Sequence, residues 1–429
     1  MLNVTEVRHE IHTENLLVVG VDVSKDKLNL YAEHTEPTDN RRYEIDDQIR
    51  NRTAAIEGAL EELASYAEKK GLEGLLVICE PTGGYEETLL QTARRLGHET
   101  AYVNGEHVAN ASLIESGDQG KTDQKDARVI AMVAEMDKTQ EQRVLKGEHA
   151  LLRELGRMYE AEDQAIVRAR NRIHDFLGKL FCDYDKRNEF VFETSGAAVA
   201  ELYGWNPHKI VEDGFDRFRQ KMKQKVKGVH ESTLEQLWDQ AKSSTRRQMP
   251  SAQREVLEGR LRQLWADFKR HEARKEEIAT RMGTLFEQLS RRGEAPDRID
   301  GIDKALMGRL IAESGPLSDF DHWREVLHYC GLNLYERESG KFKGETKISK
   351  KGRSRLRKVL SQAAFALAQG KGPFAEYYQR KRAEGMGHWR TIVAIMRKLC
   401  KILYGLYKSG RPYDPERVFT CESQYTAAG

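Results

Sequence analysis

Residues 16–24, LLVVGVDVS, form the stretch of sequence that decides the fold. Its short run of Leu and Val is typical of a buried central strand, because β-branched residues favour strands and the run is too short for a helix. The run leads to Asp22, so the strand would deliver a carboxylate to the open end of a sheet. Asp22 is therefore a candidate metal ligand. The alternative is that it caps the turn after the strand, as Asp often does.

The composition is that of a globular protein that can bury a core, with 39% hydrophobic and 32% charged residues. The 429 residues allow several domains, at about 150 residues per domain. The formal net charge is only +2, so any basic surface must be local. Five scattered cysteines without a CxxC pair argue against a disulfide framework and a thiolate zinc site, and fit a reducing compartment. With a polar N-terminus and no long apolar run, we expect a cytoplasmic protein with no membrane partner.

The first third of the chain alternates predicted strands and helices. Further strands are predicted at residues 27–32, 41–45, 75–80 and 100–104, and helices at residues 54–66, 85–96 and 123–135. The order β-β-β-α-β-α-β-α supports the α/β class in general. A mixed sheet that begins with an antiparallel meander and carries helices on its faces is the arrangement of an RNase H-like domain. We expect this domain to span residues 1–140.

Three more carboxylates fall where they could join Asp22. Glu80 ends a predicted strand, and Asp123 and Asp126 lie three residues apart in the first turn of a predicted helix, so both project from one face. Hard oxygen ligands suit magnesium or manganese, and two such ions can stabilise the attacking and leaving oxygens of a phosphodiester displacement. The alternative for the two aspartates is that they favour the N-terminus of their helix through its dipole.

The middle of the chain, residues 141–295, is predicted to be a coiled-coil region with an insertion. Apolar residues recur at spacings of three, four and seven along two long segments, residues 148–181 and 251–292. These segments predict an antiparallel coiled coil that carries the intervening insertion at its tip. The alternative is that the two helices are only a spacer. Residues 182–250 are predicted to be less regular, and they contain the basic run RQKMKQKVK at residues 219–227.

Residues 296–415 are predicted to form a mainly helical domain, followed by a tail at residues 416–429. Residues 300–313, DGIDKALMGRLIAE, resemble a helix-hairpin-helix element that would present backbone N–H groups to a phosphate; a plain pair of helices is the alternative. Residues 337–358 hold ten basic and two acidic residues, a net charge of +8, which fits contact with a phosphate backbone. Ser339 lies in this segment, where a serine is ordinarily a turn residue or a phosphate contact.

Several motifs resemble one known family. GVDVSKDKL, CEPTGGYEETL and KTDQKDARVIA are similar to the three blocks of the DEDD transposases of bacterial insertion sequences. These are bridge-RNA-guided recombinases related to the Piv-type DNA invertases. HYCGLNLYERESG and KISKKGRSRLRKVL look like the C-terminal transposase domain of that family. The resemblance covers residues 16–136 and 296–412 and is loose over the middle, where this chain is longer than the compact members of the family.

The resemblance implies a RuvC-like N-terminal domain and a composite site. The family's catalytic, metal-binding tetrad falls on Asp22, Glu80, Asp123 and Asp126, and its nucleophilic serine falls on Ser339. The implied cofactor is magnesium or manganese, and the implied intermediate is a covalent phosphoserine with DNA. The implied partners are double-stranded donor and target DNA, a structured guide RNA, and further copies of the chain in a dimer or tetramer. The implied location is the bacterial cytoplasm, at the nucleoid.

Three other interpretations stay open. A metal-dependent DNA junction nuclease would use water and keep Ser339 only as a contact. An actin-like ATPase would share the strand meander, but it requires a second similar domain, and it leaves the +8 segment unexplained. A non-catalytic nucleic-acid-binding relative is the third possibility, and the intact set of four carboxylates argues against it.

Overall fold

The structure is a computed structural model, and it describes residues 15–35, 41–116, 123–136, 139–141, 143, 145–184, 190–335, 338–339, 342–343 and 346–418. The side chains of residues 114–125 and 336–345 are among those that lie outside the description. The chain divides into two compact units, Met1–Val144 and Leu145–Gly429. The predicted boundary between the middle region and the C-terminal domain, near residue 295, stays a prediction.

The first unit is built on a six-stranded mixed sheet. Its strands are β1 (Leu16–Val23), β2 (Lys27–Thr35), β3 (Arg42–Arg50), β4 (Gly74–Cys79), β5 (Glu99–Val103) and β6 (Thr139–Glu141). The order across the sheet is β3-β2-β1-β4-β5-β6. The first three strands form the antiparallel meander, and β4 and β5 continue the sheet in parallel with β1. This topology confirms the predicted RNase H-like arrangement and adds β6, which the sequence did not predict.

Helices cover both faces of this sheet. They are α1 (Thr53–Lys69), α2 (Glu87–Arg95), α3 (Gly105–Ser116) and α4 (Asp123–Glu135). Alternate residues of β1 and β4 point into two separate cores, one shared with α1 and α2 and the other with α3 and α4. Because both faces are buried, β1 reads as a nearly continuous apolar run. The helix α3 was not predicted.

The second unit begins with two long antiparallel helices, α5 (Gly147–Leu180) and, after four short helices, α10 (Ser251–Arg291). Ion pairs fix their direction: Arg292 Nη1 lies 2.8 Å from Glu148 Oε1 at one end, and Lys275 Nζ lies 2.5 Å from Asp163 Oδ1 near the middle. These pairs confirm the predicted antiparallel pair of long helices.

The insertion at residues 182–250 is more regular than predicted. It contains α6 (Thr194–Tyr203), α7 (Pro207–Asp213), α8 (Phe215–Lys225) and α9 (Glu231–Ser244). These helices share an aromatic-rich core with the adjoining ends of α5 and α10. The prediction was wrong because short helices of 7 to 14 residues show too few turns to reveal their period.

The basic run of the insertion lies on α8 as far as Lys225, and ion pairs partly neutralise it. Lys221 pairs with Asp213 at 2.6 Å, Arg219 and Lys223 pair with Glu231, and Lys225 pairs with a carboxylate of α6. Several cations of the run are thus paired with carboxylates of the same helical bundle.

The C-terminal part of the second unit is helical, with one small β-arm. The helices are α11 (Lys304–Ser314), α12 (Trp323–Cys330), α13 (Ser354–Gln369), α14 (Pro373–Ala383) and α15 (His388–Ser409), and the strands are β7 (Leu334–Tyr335), β8 (Glu338–Ser339), β9 (Phe342–Lys343) and β10 (Lys347–Ile348). One core joins these helices to α5 and α10. Within the described ranges, none of the helices combines the length and apolar character that crossing a bilayer requires.

Candidate functional site

Asp22 and Glu80 lie at the ends of neighbouring strands. β1 and β4 pair in parallel, in a register that brings these two residues to the same edge of the sheet. Val18 and Ile78 point into the core shared with α4. Side chains alternate along a strand, so Asp22 and Glu80 belong to that same face. We call this edge, with its two half-buried acidic residues, the carboxylate edge.

Helix α4 lies directly on β1 because Gly20 has no side chain. A Cβ on Gly20 would lie 2.3 Å from the carbonyl oxygen of Ala127, which no backbone could tolerate. Asp126 is the residue before Ala127, and it is half-buried in the first turn of α4. The packing therefore holds Asp126 close to the strand that carries Asp22. Asp123 begins α4, and its side chain lies outside the described residues.

The Glu80 carboxylate lies beside the N-terminus of α3. A Cβ on Gly105, the first residue of that helix, would be 3.3 Å from Glu80 Oε2. Asn104 Oδ1 accepts a hydrogen bond from the backbone N–H of Glu106 at 2.9 Å and caps the helix. The Glu80 carboxylate thus lies at the positive end of the α3 dipole.

Asn51 ties together the loops that follow β1 and β4. Its Nδ2 donates to the carbonyl oxygens of Ser24 and Tyr85, each at 3.0 Å. Its backbone N–H donates to Asp26 O at 3.0 Å. One side-chain amide thus fixes both of the loops that follow the acidic strand ends.

Glu86 holds the PTGG turn that follows Glu80. The hydroxyl of Thr82 and the backbone N–H of Gly84 donate to its Oε2 at 2.6 and 2.8 Å. Burial opposes ionisation of Glu86, but these hydrogen bonds outweigh it and lower its pKa. In turn, burial and the charge of Glu86 raise the pKa of Tyr102. Glu86 is thus a buried anion that shapes the turn.

The described residues do not by themselves complete a metal centre. Among the side chains that the structure describes, no three or more of His, Cys, Asp or Glu converge as a metal-holding group. The fourth member of the predicted set, Asp123, is outside that description. Cys79 is a buried core residue beside this edge, and its burial raises the pKa of its thiol.

Ser339 lies in a β-arm, which we define as residues 334–348. β7 pairs with β10, Leu334 opposite Ile348, and nearer the tip β8 pairs with β9, Ser339 opposite Phe342. Two residues, 340 and 341, separate this last pair and lie outside the described residues. The side chain of Ser339 is also outside the description. Its backbone nevertheless belongs to a paired strand.

The base of the β-arm is fixed by backbone contacts. A Cβ on Gly352 would lie 2.6 Å from Tyr329 O. Across the same base, Lys350 N–H donates to Gly331 O at 2.9 Å, and Arg353 N–H donates to Tyr329 O at 2.8 Å. The two chain segments that enter and leave the arm are therefore joined before the strands begin.

A buried ion pair anchors this base to the helices. Arg353 Nε donates to Glu313 Oε2 at 2.6 Å, and the Glu313 side chain is only 5% exposed. Arg153 of α5 donates to the backbone oxygens of Ala312 and Glu313 at 3.0 and 3.2 Å. The arm is thereby connected to α5, α11 and α13.

Part of the +8 segment is used for structure. Arg357 donates to Cys330 O at 2.9 Å, and Lys358 lies 2.7 Å from a carboxylate oxygen of Glu160 and 3.3 Å from one of Asp163. Together with Arg353, these cations stabilise the base of the arm and the adjoining helices. The side chains of the basic residues nearest the tip lie outside the described residues.

Sequence reasoning missed the polar residues that surround the carboxylates. Asn29 lies within the predicted strand at residues 27–32, among apolar residues in a strand that is buried on both faces. A polar group in such a place needs a hydrogen-bond partner, and this requirement was the available signal. Asn51 and Glu86 gave no comparable signal, because each lies in or beside a turn.

Comparisons with known proteins match both ends of the chain. A family model described as Transposase, of the DEDD type of IS110 elements, matches residues 19–182, and a second, described as Transposase IS116/IS110/IS902 family, matches residues 297–379. The first match contains the carboxylate edge, and the second contains the β-arm.

Individual relatives agree with these matches. The chain is 25% identical over 323 residues to the 44.8 kDa protein of insertion element IS116 from Streptomyces clavuligerus, covering 74% of this chain and 79% of that protein. It is 30% identical over 129 residues to the pilin gene-inverting protein of Moraxella bovis, covering 30% of this chain. The chain spans only 40% of the length of that protein. The Thermus thermophilus RuvC structure aligns with 29% of this chain and 99% of its own, at 15% identity and a TM-score of 0.22.

Proposed function

We propose that the chain is a transposase of the IS116/IS110/IS902 family, whose models match residues 19–182 and 297–379, and that it cleaves and rejoins DNA strands to move an insertion sequence. The observation that carries this proposal is the coincidence of the two matched regions with the two structural features of interest. The first matched region holds the carboxylate edge, and the second holds the β-arm.

The carboxylate edge is the proposed divalent-cation site. Asp22, Glu80, Asp123 and Asp126 would hold Mg²⁺ or Mn²⁺. The fit is supported by the donor chemistry, which is all oxygen, and by the placement of Asp22 and Glu80 on one sheet face with α4 packed on it. When bound, such an ion would offset negative charge at the phosphate in the transition state. The four residues would supply the negative charge that attracts the ion, and they would orient their carboxylate oxygens toward it.

Ser339 is the proposed nucleophile. Its Oγ would form a bond to the phosphorus of a DNA phosphodiester, and the bond from phosphorus to one deoxyribose oxygen would break. The hydroxyl proton would pass to that departing oxygen, leaving a phosphoserine and a free strand end. Attack by another strand's hydroxyl would reverse the step, release the serine with its proton restored, and join the new strand.

The proposed partners follow from the same assignment. Double-stranded donor and target DNA would contact the +8 segment through their phosphates. A structured RNA would choose the sequences by base pairing, while the protein would contact backbone and shape. The carboxylate edge and the β-arm of one site would come from different copies of the chain in a dimer or tetramer. The protein would work in the bacterial cytoplasm, at the nucleoid.

A trapped-adduct assay tests this proposal. The protein is incubated with magnesium, RNA transcribed from the flanks of the element, and labelled donor and target DNA, and is then denatured in detergent. We expect label to migrate with the wild-type protein, and neither Ser339→Ala nor Asp22→Ala to retain it. Two matched controls, Ser354→Ala in the same basic segment and Asp26→Ala in the turn after β1, should retain the adduct.

The same assay separates the main alternative. Free cleaved DNA without an adduct, formed equally by Ser339→Ala, would overturn the serine mechanism and indicate a nuclease that uses water. Cleavage that persists in Asp22→Ala would overturn the assignment of the carboxylate edge.

A further inference from the structure

A row of three polar side chains crosses the sheet beside the carboxylate edge. In the strand register, Asp22 of β1 lies opposite Asn29 of β2, and Asn29 lies opposite Gln48 of β3. Residues directly opposite each other on neighbouring strands share a face and are close enough to interact. All three residues therefore belong to the face on which α4 packs, where Tyr31 of β2 also contributes to the core.

Hydrogen bonds join the three side chains in one direction. Gln48 Nε2 donates to Asn29 Oδ1 at 2.7 Å, and Asn29 Nδ2 donates to Asp22 Oδ2 at 3.3 Å. Because the carbonyl end of the Asn29 amide accepts from Gln48, its NH₂ end is the one turned toward Asp22. The contact from β3 thus sets the orientation of the Asn29 amide.

The positions of the two amides suit this role. Asn29 is only 4% exposed, so its rotamer is limited by the surrounding core. Gln48, in contrast, is exposed on the outer strand of the sheet. A neutral donor can orient a carboxylate and leave its negative charge in place, whereas a lysine or arginine at the same place would compete with a bound cation. Groups that hydrogen-bond to metal ligands commonly affect metal affinity in this way.

We propose that Gln48 and Asn29 position the Asp22 carboxylate for a divalent cation. We call the three hydrogen-bonded residues, Gln48, Asn29 and Asp22, the amide relay. The inference rests on the proposed cation site, and it assigns positioning roles to two residues outside the predicted tetrad. Asn29 acts on Asp22 directly, and Gln48 acts through Asn29. The outer strand β3 thereby contributes to the site without supplying a ligand.

Binding of Mn²⁺ to the full-length protein, followed by electron paramagnetic resonance, tests the relay. Asp22→Asn should abolish binding at this site. Asn29→Leu, which keeps the size and removes the donor, should weaken Mn²⁺ binding about 10-fold or more. Gln48→Leu should weaken Mn²⁺ binding less, by about 3-fold to 10-fold. Asn29 can still reach Asp22 after it loses the hydrogen bond from Gln48. The control Glu44→Gln, on the same strand β3, should stay within about 2-fold of wild type, since Glu44 lies away from the relay.

The outcomes separate the relay from the cation site. If Asn29→Leu and Gln48→Leu bind Mn²⁺ like wild type while Asp22→Asn does not, the site stands and the relay is overturned. If Asn29→Leu has a lower Tm than wild type in EDTA but an unchanged Mn²⁺ affinity, the role of Asn29 is purely structural. That result also overturns the relay. If wild type binds no Mn²⁺, or Asp22→Asn binds it normally, the proposed cation site fails and the relay fails with it. Because Gln48 is exposed, its variant keeps the test decisive even if Asn29→Leu does not fold.

Discussion

The carboxylate edge and the β-arm are built in opposite ways. At the carboxylate edge, the acidic residues follow strands buried on both faces, and a helix lies in contact with the backbone of one of them. The β-arm is made of four strands of two residues each, and its fixed part is its base, where glycines, backbone hydrogen bonds and one buried ion pair meet. Core packing therefore determines the geometry of the first feature, and polar contacts at a junction determine that of the second.

The largest effect should come from filling the contact between β1 and α4. Gly20→Val would place side-chain atoms where the Ala127 carbonyl oxygen lies, 2.3 Å from the Cβ position. We expect it to destabilise the first unit by about 3 kcal/mol or more, measured by urea unfolding. Hydrogen exchange should show lost protection in β1 and unchanged protection in α10. The matched control is Gly58→Ala in α1, where a Cβ would meet nothing within 4 Å; it should be neutral or stabilising by up to about 1 kcal/mol. A stable Gly20→Val protein would contradict the close packing.

The next effect should fall on the base of the β-arm. Gly352 has a φ of +138° and no room for a Cβ, whereas Gly385 has a φ of +87° and open space around it. Gly352→Ala should cost about 2 kcal/mol more than Gly385→Ala, because only the former adds a backbone collision to the strained φ. The adduct should disappear in Gly352→Ala while Mn²⁺ binding stays at the wild-type level. Equal costs for the two variants would show that the backbone contact at the base is unimportant.

A somewhat smaller effect is expected from the buried ion pair. Glu313→Gln keeps the shape of the side chain and removes the charge that accepts from Arg353. It should lower the free energy of unfolding by about 2 kcal/mol, as the loss of a charged hydrogen bond does. Glu154→Gln removes the exposed pair with Arg157 in the same unit and should change stability by no more than about 0.5 kcal/mol. Similar losses of unfolding free energy in the two variants would show that the buried Glu313 pair contributes no more to stability than the exposed pair.

The smallest effect should be a change in pH dependence at the carboxylate edge. The pKa of Glu86 is lower in the folded protein than its ordinary value of 4.5. Its contribution to stability is therefore present above that value and is lost as the pH falls through the lower, folded pKa. Glu86→Gln should flatten the dependence of unfolding free energy on pH below about 4.5, and Thr82→Val should flatten it partly by removing one donor. A wild-type slope in Glu86→Gln would contradict the role of its charge.

The sequence predicted the parts of the fold that have a strong apolar pattern. The runs that end at Asp22 and Glu80 indicated buried strands, and the long periodic segments indicated the antiparallel helices α5 and α10. The β-arm was missed because its strands are too short to show a period of two and because seven of its fifteen residues are charged. The relay was missed because cross-strand register, which joins Asn29 to both Asp22 and Gln48, cannot be obtained from one strand's sequence.

The residue roles came from the resemblance and not from the spacing of the residues alone. An aspartate after a strand is ordinarily a turn residue, and a serine before a glycine gives no sign of reactivity by itself. The structure places Asp22 and Glu80 at the ends of neighbouring strands, and helix α4, which carries Asp126, packs on β1. The roles of these three residues, and of Asp123 and Ser339, stay predictions.

Mapping the DNA-linked residue by mass spectrometry tests the central claim most directly. The adduct formed with magnesium, guide RNA and DNA is denatured, digested with nuclease and protease, and searched for a nucleotide remnant. We predict a remnant on Ser339 in the wild-type protein and none in Asp22→Ala. A remnant on a different residue, or complete strand cleavage with no remnant on any residue, would contradict the account.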